Sequence, residues 1–270
     1  MSKAFSKRVL VLHGYAQNAN IFSKRIAGLR KQAKDIDMVI VDAPHILKLE
    51  DLFEDSEVND DPGHAARGWW KFTDPAKTVC VGMEETLLFL RDLLKEKRFD
   101  GVFGFSQGAG LACLLSAILE RPDSYPGFLI DDQPVHPPFE FCISAAGFKS
   151  RDPISSRILN EGFSTPTLHI VGKADHIISL EYTQSILDVS RNKRIEEHDG
   201  GHFIPSKAPW RKFLIEWMRK GPEGDVPSPG AETTSAAVTP AASGTATPVG
   251  DGIAVATPPI SAPGNSDPAS

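Results

Sequence analysis

The sequence predicts an α/β fold, with a mainly parallel sheet and helices on both faces. Strand-like apolar runs alternate with longer amphipathic segments, the order that builds parallel βαβ units. Five residues, Gly104-Phe105-Ser106-Gln107-Gly108, sit between an apolar run and a helical one, so they form a sharp strand-to-helix turn with a serine at its apex. The chain has 270 residues, room for one large domain and something extra.

The elements follow in order. Val9-Leu10-Val11-Leu12 is an apolar strand that ends at His13-Gly14-Tyr15. Residues 21–34 read as one helix, with Ile21, Phe22, Ile26, Leu29 and Ala33 near helical spacing. Residues 37–41 are the second strand. A long insertion, 46–78, is rich in acidic residues and glycine and holds Trp69-Trp70-Lys71-Phe72; its length and position make it a candidate lid. Residues 81–95 form a helix with a leucine stripe, and residues 99–103 the strand that feeds the turn at Ser106. The helix after the turn covers 109–119.

Residues 122–138 read as a loop too polar and proline-rich for the core. Strands follow at 139–144 and 166–172, then a helix at 180–190 and a short charged strand at 194–197. A final amphipathic helix at 209–219 contains Trp210, Phe213, Leu214 and Trp217. From Gly221 onward no aromatic residue remains and Pro, Ala, Thr, Ser and Gly dominate. Such a segment buries too little apolar surface to offset its ordering entropy. The expected organisation is therefore one domain over 1–220 and a disordered tail over 221–270.

Composition narrows the class. No apolar run reaches the ~18 residues a membrane helix needs, and Met1 to Arg8 lead into the first strand with no apolar signal core. The expected location is the cytoplasm, with no membrane span. Three cysteines, Cys80, Cys113 and Cys142, are an odd number at wide spacing and fit free thiols in a reducing compartment. No metal-ligand spacing is visible, and no cofactor is expected. The net charge is −6, and all charges after Lys220 are acidic, so the rest is near neutral. No nucleic-acid face is expected.

The turn at Ser106 has the form of a nucleophile elbow, which places the chain among the α/β-hydrolases. In that fold the partners follow as Ser, then Asp or Glu, then His. Asp175 follows the strand 166–172, and His202 follows the short strand 194–197, each on a loop where reactive side chains are presented. The candidate triad is Ser106, Asp175 and His202. The candidate oxyanion donors are the backbone N–H groups of Tyr15 and Gln107, each typically worth ~3 kcal/mol. Each residue also has a plainer reading: Ser106 as a helix N-cap, Asp175 as a turn former, His202 as a surface histidine.

The other histidines fit the role less well. His13 precedes Ser106, His64 lies in the insertion, His136 in a proline-rich loop and His169 inside a strand. His45 and His176 sit on strand-end loops, and His176 is expected to line the pocket. His198 ends a strand four residues before His202, and the glycine pair Gly200-Gly201 favours the latter. Pocket walls are expected from Tyr15, Trp69, Trp70, Phe72, Phe148, Ile177 and Phe203. The two tryptophans either wall the acyl site or anchor the insertion as core. These apolar candidates favour an acyl chain over a charged group.

Four stretches together resemble the fungal serine hydrolase (FSH) family: Leu12 to Asn18, Arg67 to Trp70, Phe99 to Ala109 and Gly200 to Pro205. The resemblance covers roughly residues 8–218. It implies a compact α/β-hydrolase whose triad falls on Ser106, Asp175 and His202. It implies carboxylic esterase or thioesterase activity, and some fungal relatives release acyl products from polyketide synthase carrier domains. The expected function is hydrolysis of small to medium acyl esters or thioesters through an acyl-enzyme, with a small-molecule substrate as partner. One alternative is a thioesterase that releases polyketide or fatty acyl product from an acyl carrier domain. From another class, the alternative is a non-catalytic ligand-binding module with a vestigial triad.

Overall fold

Six strands pair in parallel into a single sheet: β1 (Lys7–Leu12), β2 (Ile36–Val41), β3 (Gly101–Phe105), β4 (Phe141–Ala145), β5 (Thr167–Gly172) and β6 (Lys193–His198). Their spatial order is β6-β5-β4-β3-β1-β2. The computed structural model describes residues 5–52, 65–73 and 79–230. The described residues fall within one compact unit, Met1–Ala231.

Side-chain alternation along each strand makes two cores, one on each face. Leu10, Leu12 and Val102 face the helices α3 (Met83–Glu96), α4 (Gln107–Glu120) and α5 (Pro153–Asn160). Ile186 of α6 (Leu180–Val189) joins the same core. Val9, Val11 and Phe103 face α1 (Ala19–Arg25), α2 (Ala27–Gln32) and α7 (Ala208–Lys220). Residues 107–119 of α4 are buried all round, as a helix that is apolar on every side must be. Because all six strands run the same way, the loops after β1, β3, β4, β5 and β6 gather at one edge of the sheet.

Several expectations change. The helix expected over 21–34 breaks at Ile26 (φ −99°, ψ 16°) into α1 and α2. The apolar spacing runs straight through the break, so periodicity could not register it. Residues 122–138 are not a polar surface loop. They form two 3₁₀ turns and a short hairpin, and Tyr125, Phe128 and His136 are buried. His136 Nε2 accepts the Phe99 N–H at 2.9 Å, tying the segment to the start of β3. Helix α5 was not anticipated; Asp152 Oδ1 caps it by accepting from Ile154 N and Ser155 N, with Pro153 in its first turn.

Packing also continues past residue 220. Val226 is buried, and its carbonyl accepts from Arg194 at 2.7 Å. Ser228 Oγ donates to Glu196 at 2.8 Å. Residues 231–270 of the expected tail, and 53–64 and 74–78 of the candidate lid, lie outside the described residues. Cys113 and Cys142 are buried free thiols and Cys80 is half-buried. Among the described residues no helix is long and apolar enough to cross a membrane, and no group of His, Cys, Asp and Glu could hold a metal ion.

Candidate active site

Ser106 sits at the end of β3 with φ 54° and ψ −117°, a strained conformation for a residue with a side chain. The turn closes only because its flanks are glycines. A Cβ on Gly104 would lie 2.1 Å from the Gly108 carbonyl oxygen, and one on Gly108 would lie 2.4 Å from that of Leu12. Although Ser106 occupies the N-cap position of α4, its side chain makes no cap bond. Its Oγ instead lies 3.0 Å from His202 Nε2.

The imidazole continues the chain. His202 Nδ1 is 2.8 Å from Asp175 Oδ2. Asp175 Oδ1 accepts from the backbone N–H groups of Ile177 and Ile178, both at 2.9 Å. One carboxylate oxygen therefore builds the turn after β5 and the other meets the imidazole. The loops after β5 and β6 are joined, with Ala174 N–H donating to the Gly200 carbonyl at 3.1 Å. That approach needs glycine: a Cβ on Gly172 would lie 2.4 Å from the Gly201 oxygen. The Phe105 ring lies against the imidazole of His202, with centroids 4.9 Å apart.

The loop after β1 passes beside the elbow. A Cβ on Gly14 would fall 3.0 Å from the Phe105 ring and 3.4 Å from Ser106 Cβ. Tyr15 and Gln107 both border the cleft that holds Ser106. As the first residue of α4, Gln107 has an N–H with no partner inside the helix. Its side chain has a separate task. Oε1 accepts from Trp69 N and Nε2 donates to the Trp70 carbonyl, both at 2.8 Å. Tyr15 donates its hydroxyl to the Asp51 carbonyl at 2.5 Å, and burial pushes its pKa up to about 12.

The cleft has a volume of about 220 Å³. Phe72, Phe148 and Ile177 line it, as the sequence suggested; Ile178, Tyr182, Lys149, Ser150 and Arg151 also line it and were missed. Trp69 and Trp70 do not line it. Both are fully buried, Trp69 Nε1 donates to the His13 carbonyl at 2.8 Å, and Thr86 donates to the Trp69 carbonyl. They anchor the insertion as core, and Trp70 reaches the cleft only by packing its ring against Phe72 and Phe148. Phe203 also lies elsewhere: its ring packs on His198 and lines a separate cleft with Phe22 and Ile204.

The remaining histidines have other work. Burial lowers the His13 pKa to about 4, so the ring is neutral; Nδ1 meets the Gly14 carbonyl at 2.8 Å and Nε2 accepts the Ala43 N–H at 3.0 Å. His45 Nε2 meets the Gly82 carbonyl. His169 is buried within β5, and burial lowers its pKa to about 3. His198 Nδ1 accepts the Gly200 N–H at 3.2 Å. His176 is exposed and is not part of the cleft lining. His64 lies outside the described residues.

A parallel sheet flanked on both faces, with a serine on a strained strand-to-helix turn, defines an α/β-hydrolase fold. Solved structures agree. Acyl-protein thioesterase 2 from Zea mays superposes with a TM-score of 0.54 at 20% identity, covering 81% of this chain and 95% of that one. Esterase PE8 gives a TM-score of 0.53 at 20% identity, covering 80% and 93%. Residues 1–214 match the model of the serine hydrolase (FSH1) family, and the chain belongs to that family of serine hydrolases. Esterase OVCA2 of Xenopus tropicalis is 33% identical over 224 residues, 79% of this chain and 92% of that protein. Family of serine hydrolases 3 of Saccharomyces cerevisiae is 31% identical over 229 residues, 79% and 84% of the two chains.

Proposed function

We propose that this serine hydrolase cleaves carboxylic esters or thioesters of small to medium acyl groups, with Ser106 as nucleophile, His202 as general base and acid, and Asp175 as the group that orients the histidine and stabilises its charged form. The observation that carries the reading is the continuous hydrogen-bond chain from Ser106 Oγ through His202 to Asp175 Oδ2, beside a largely apolar cleft. Relatives in the family bear the name esterase. The cleft volume of about 220 Å³ lies below the roughly 300–1,000 Å³ of drug-sized sites, which suits a small or medium acyl chain.

His202 Nε2 accepts the Ser106 proton as Oγ attacks the acyl carbonyl. Asp175 Oδ2 accepts the Nδ1–H bond, fixes the tautomer and stabilises the imidazolium. The backbone N–H groups of Tyr15 and Gln107 receive the developing oxyanion. His202 then protonates the leaving alcohol or thiol, and the same imidazole activates the water that clears the acyl-enzyme. No cofactor takes part. Buried free thiols suit a reducing compartment, which supports a cytoplasmic location.

Matched oxoesters and thioesters of increasing acyl length, measured as kcat/KM, test the substrate class. Turnover that depends on Ser106 and peaks at short to medium chains is expected. Turnover that survives Ser106→Ala would overturn the assignment, and absence of turnover on both series would favour a binding module. A thioester preference would support release of acyl groups from a thiol carrier.

A further inference from the structure

We propose that Lys149 and Arg151 form an anion-recognition subsite that continues the acyl cleft, and that preferred substrates carry a carboxylate or phosphate away from the scissile bond. The inference rests on the hydrolase reading of Ser106.

Two clefts adjoin. The one that holds Ser106, about 220 Å³, shares Lys149, Ser150, Arg151 and Tyr182 with a second of about 210 Å³. A substrate seated at Ser106 that extends into the second cleft must pass both cations. Among the described residues the first cleft contains these two cationic side chains and no carboxylate. Glu181 is the one acidic side chain of the second.

Among the described residues no carboxylate lies within ion-pair distance of Lys149 or Arg151, whereas Arg194, Arg219 and Lys71 each have one. Both cations are nonetheless held in place, and by neutral partners. Lys149 Nζ donates to Asn160 Oδ1 at 2.8 Å, which occupies one of its three donors. The Arg151 guanidinium lies 5.0 Å from the centroid of the Tyr182 ring, a cation–π contact that fixes the group while leaving its charge uncompensated.

The loop that carries them is itself fixed. Ser150 is buried, and its Oγ accepts the Asp152 N–H at 3.2 Å, just before Asp152 caps α5. Two positioned, unpaired cations beside the apolar walls of Phe148 and Ile178 meet the requirement for binding an oxyanion strongly. Charge-assisted bonds to such an oxyanion exceed neutral ones. The carboxylate could terminate the acyl chain, as in a half-ester of a dicarboxylic acid, or the phosphate could belong to the leaving group.

Two matched substrate pairs separate these sources in the full chain. The first is a neutral p-nitrophenyl ester and the same ester with a terminal carboxylate on its acyl chain. The second is a thioester of pantetheine and the same acyl group on 4′-phosphopantetheine. In the wild-type protein one charged member should exceed its neutral partner in kcat/KM by about tenfold, the order expected of a charge-assisted bond. The preference should fall with added salt and collapse in Lys149→Gln/Arg151→Gln. Thermal unfolding of the variant, compared with wild type, separates loss of the subsite from loss of the fold, and the single Arg151→Gln, at an exposed position, supports the same comparison. Equal rates within both pairs, or a preference that persists in the double variant, would overturn the subsite. If those rates are equal while a fluorophosphonate still labels Ser106, only the subsite falls. If no ester turns over and Ser106 resists the label, the hydrolase reading falls and the subsite with it.

Discussion

At the scale of single residues, the Ser106 hydroxyl is aimed by constraint on three sides. The positive φ lifts it off the helix, the glycines at 104 and 108 let the backbone double back, and His202 lies at 3.0 Å. Asp175 divides its two oxygens between a turn and the imidazole. Asp175→Asn keeps an oxygen for the turn and removes the charge that stabilises the imidazolium. It should lower kcat/KM by about 10³–10⁴, in line with losing the orienting acid of such a triad. A loss under tenfold, with the thermal midpoint retained, would remove Asp175 from that role. The order and strand-end placement of these three residues were legible in the sequence. The cations Lys149 and Arg151 were not, because their meaning comes from having no carboxylate within ion-pair distance among the described residues and from the Tyr182 ring, which lies about thirty positions away.

At the scale of elements, the elbow and the insertion are one unit. The Gln107 side chain bridges the Trp69 N–H and the Trp70 carbonyl, while Trp69 Nε1 holds the carbonyl of His13 at the end of β1. Gln107→Leu leaves the backbone N–H of residue 107 in place and strands two buried backbone groups. Each unpaired group costs about 1–3 kcal/mol, so the variant should unfold at distinctly lower denaturant. Unchanged stability in a chemical denaturation series would show that residues 69–70 are held by other means. This bridge explains what the sequence left open about the tryptophans: their hydrophobicity suits a pocket wall or a core equally, and only the partners of their backbone groups separate the two. The parallel sheet was legible from its apolar runs. The burial of residues 122–138 was not, because Tyr125, Phe128 and His136 follow neither a helical nor a strand period. Helix α5 did carry a signal, Asp152-Pro153 followed by Ile158-Leu159, in an element of only 8 residues.

At the scale of the whole molecule, the fold holds several imidazoles neutral. Burial lowers the pKa of His13 to about 4 and of His169 to about 3, both below the 6.5 of an unperturbed ring. Well above pH 6.5 both are neutral in the folded and unfolded chains, and their stabilising contribution is complete. As the pH falls from about 6.5 toward 4, the unfolded chain takes up protons that the folded one refuses, so stability declines. The loss through His13 alone is on the order of 3 kcal/mol. Urea unfolding at several pH values should show this decline, and it should be shallower in His169→Leu; identical slopes would contradict the account. The proposed catalysis belongs to the same scale, because Ser106, Asp175 and His202 come from three different loops that the parallel sheet brings together. The most direct test of that convergence is peptide-mapped mass spectrometry after a brief reaction with a p-nitrophenyl ester. A single acyl adduct on Ser106 is expected in the wild-type protein and none at any position in Ser106→Ala. An adduct on another residue, or turnover in Ser106→Ala, would contradict that convergence.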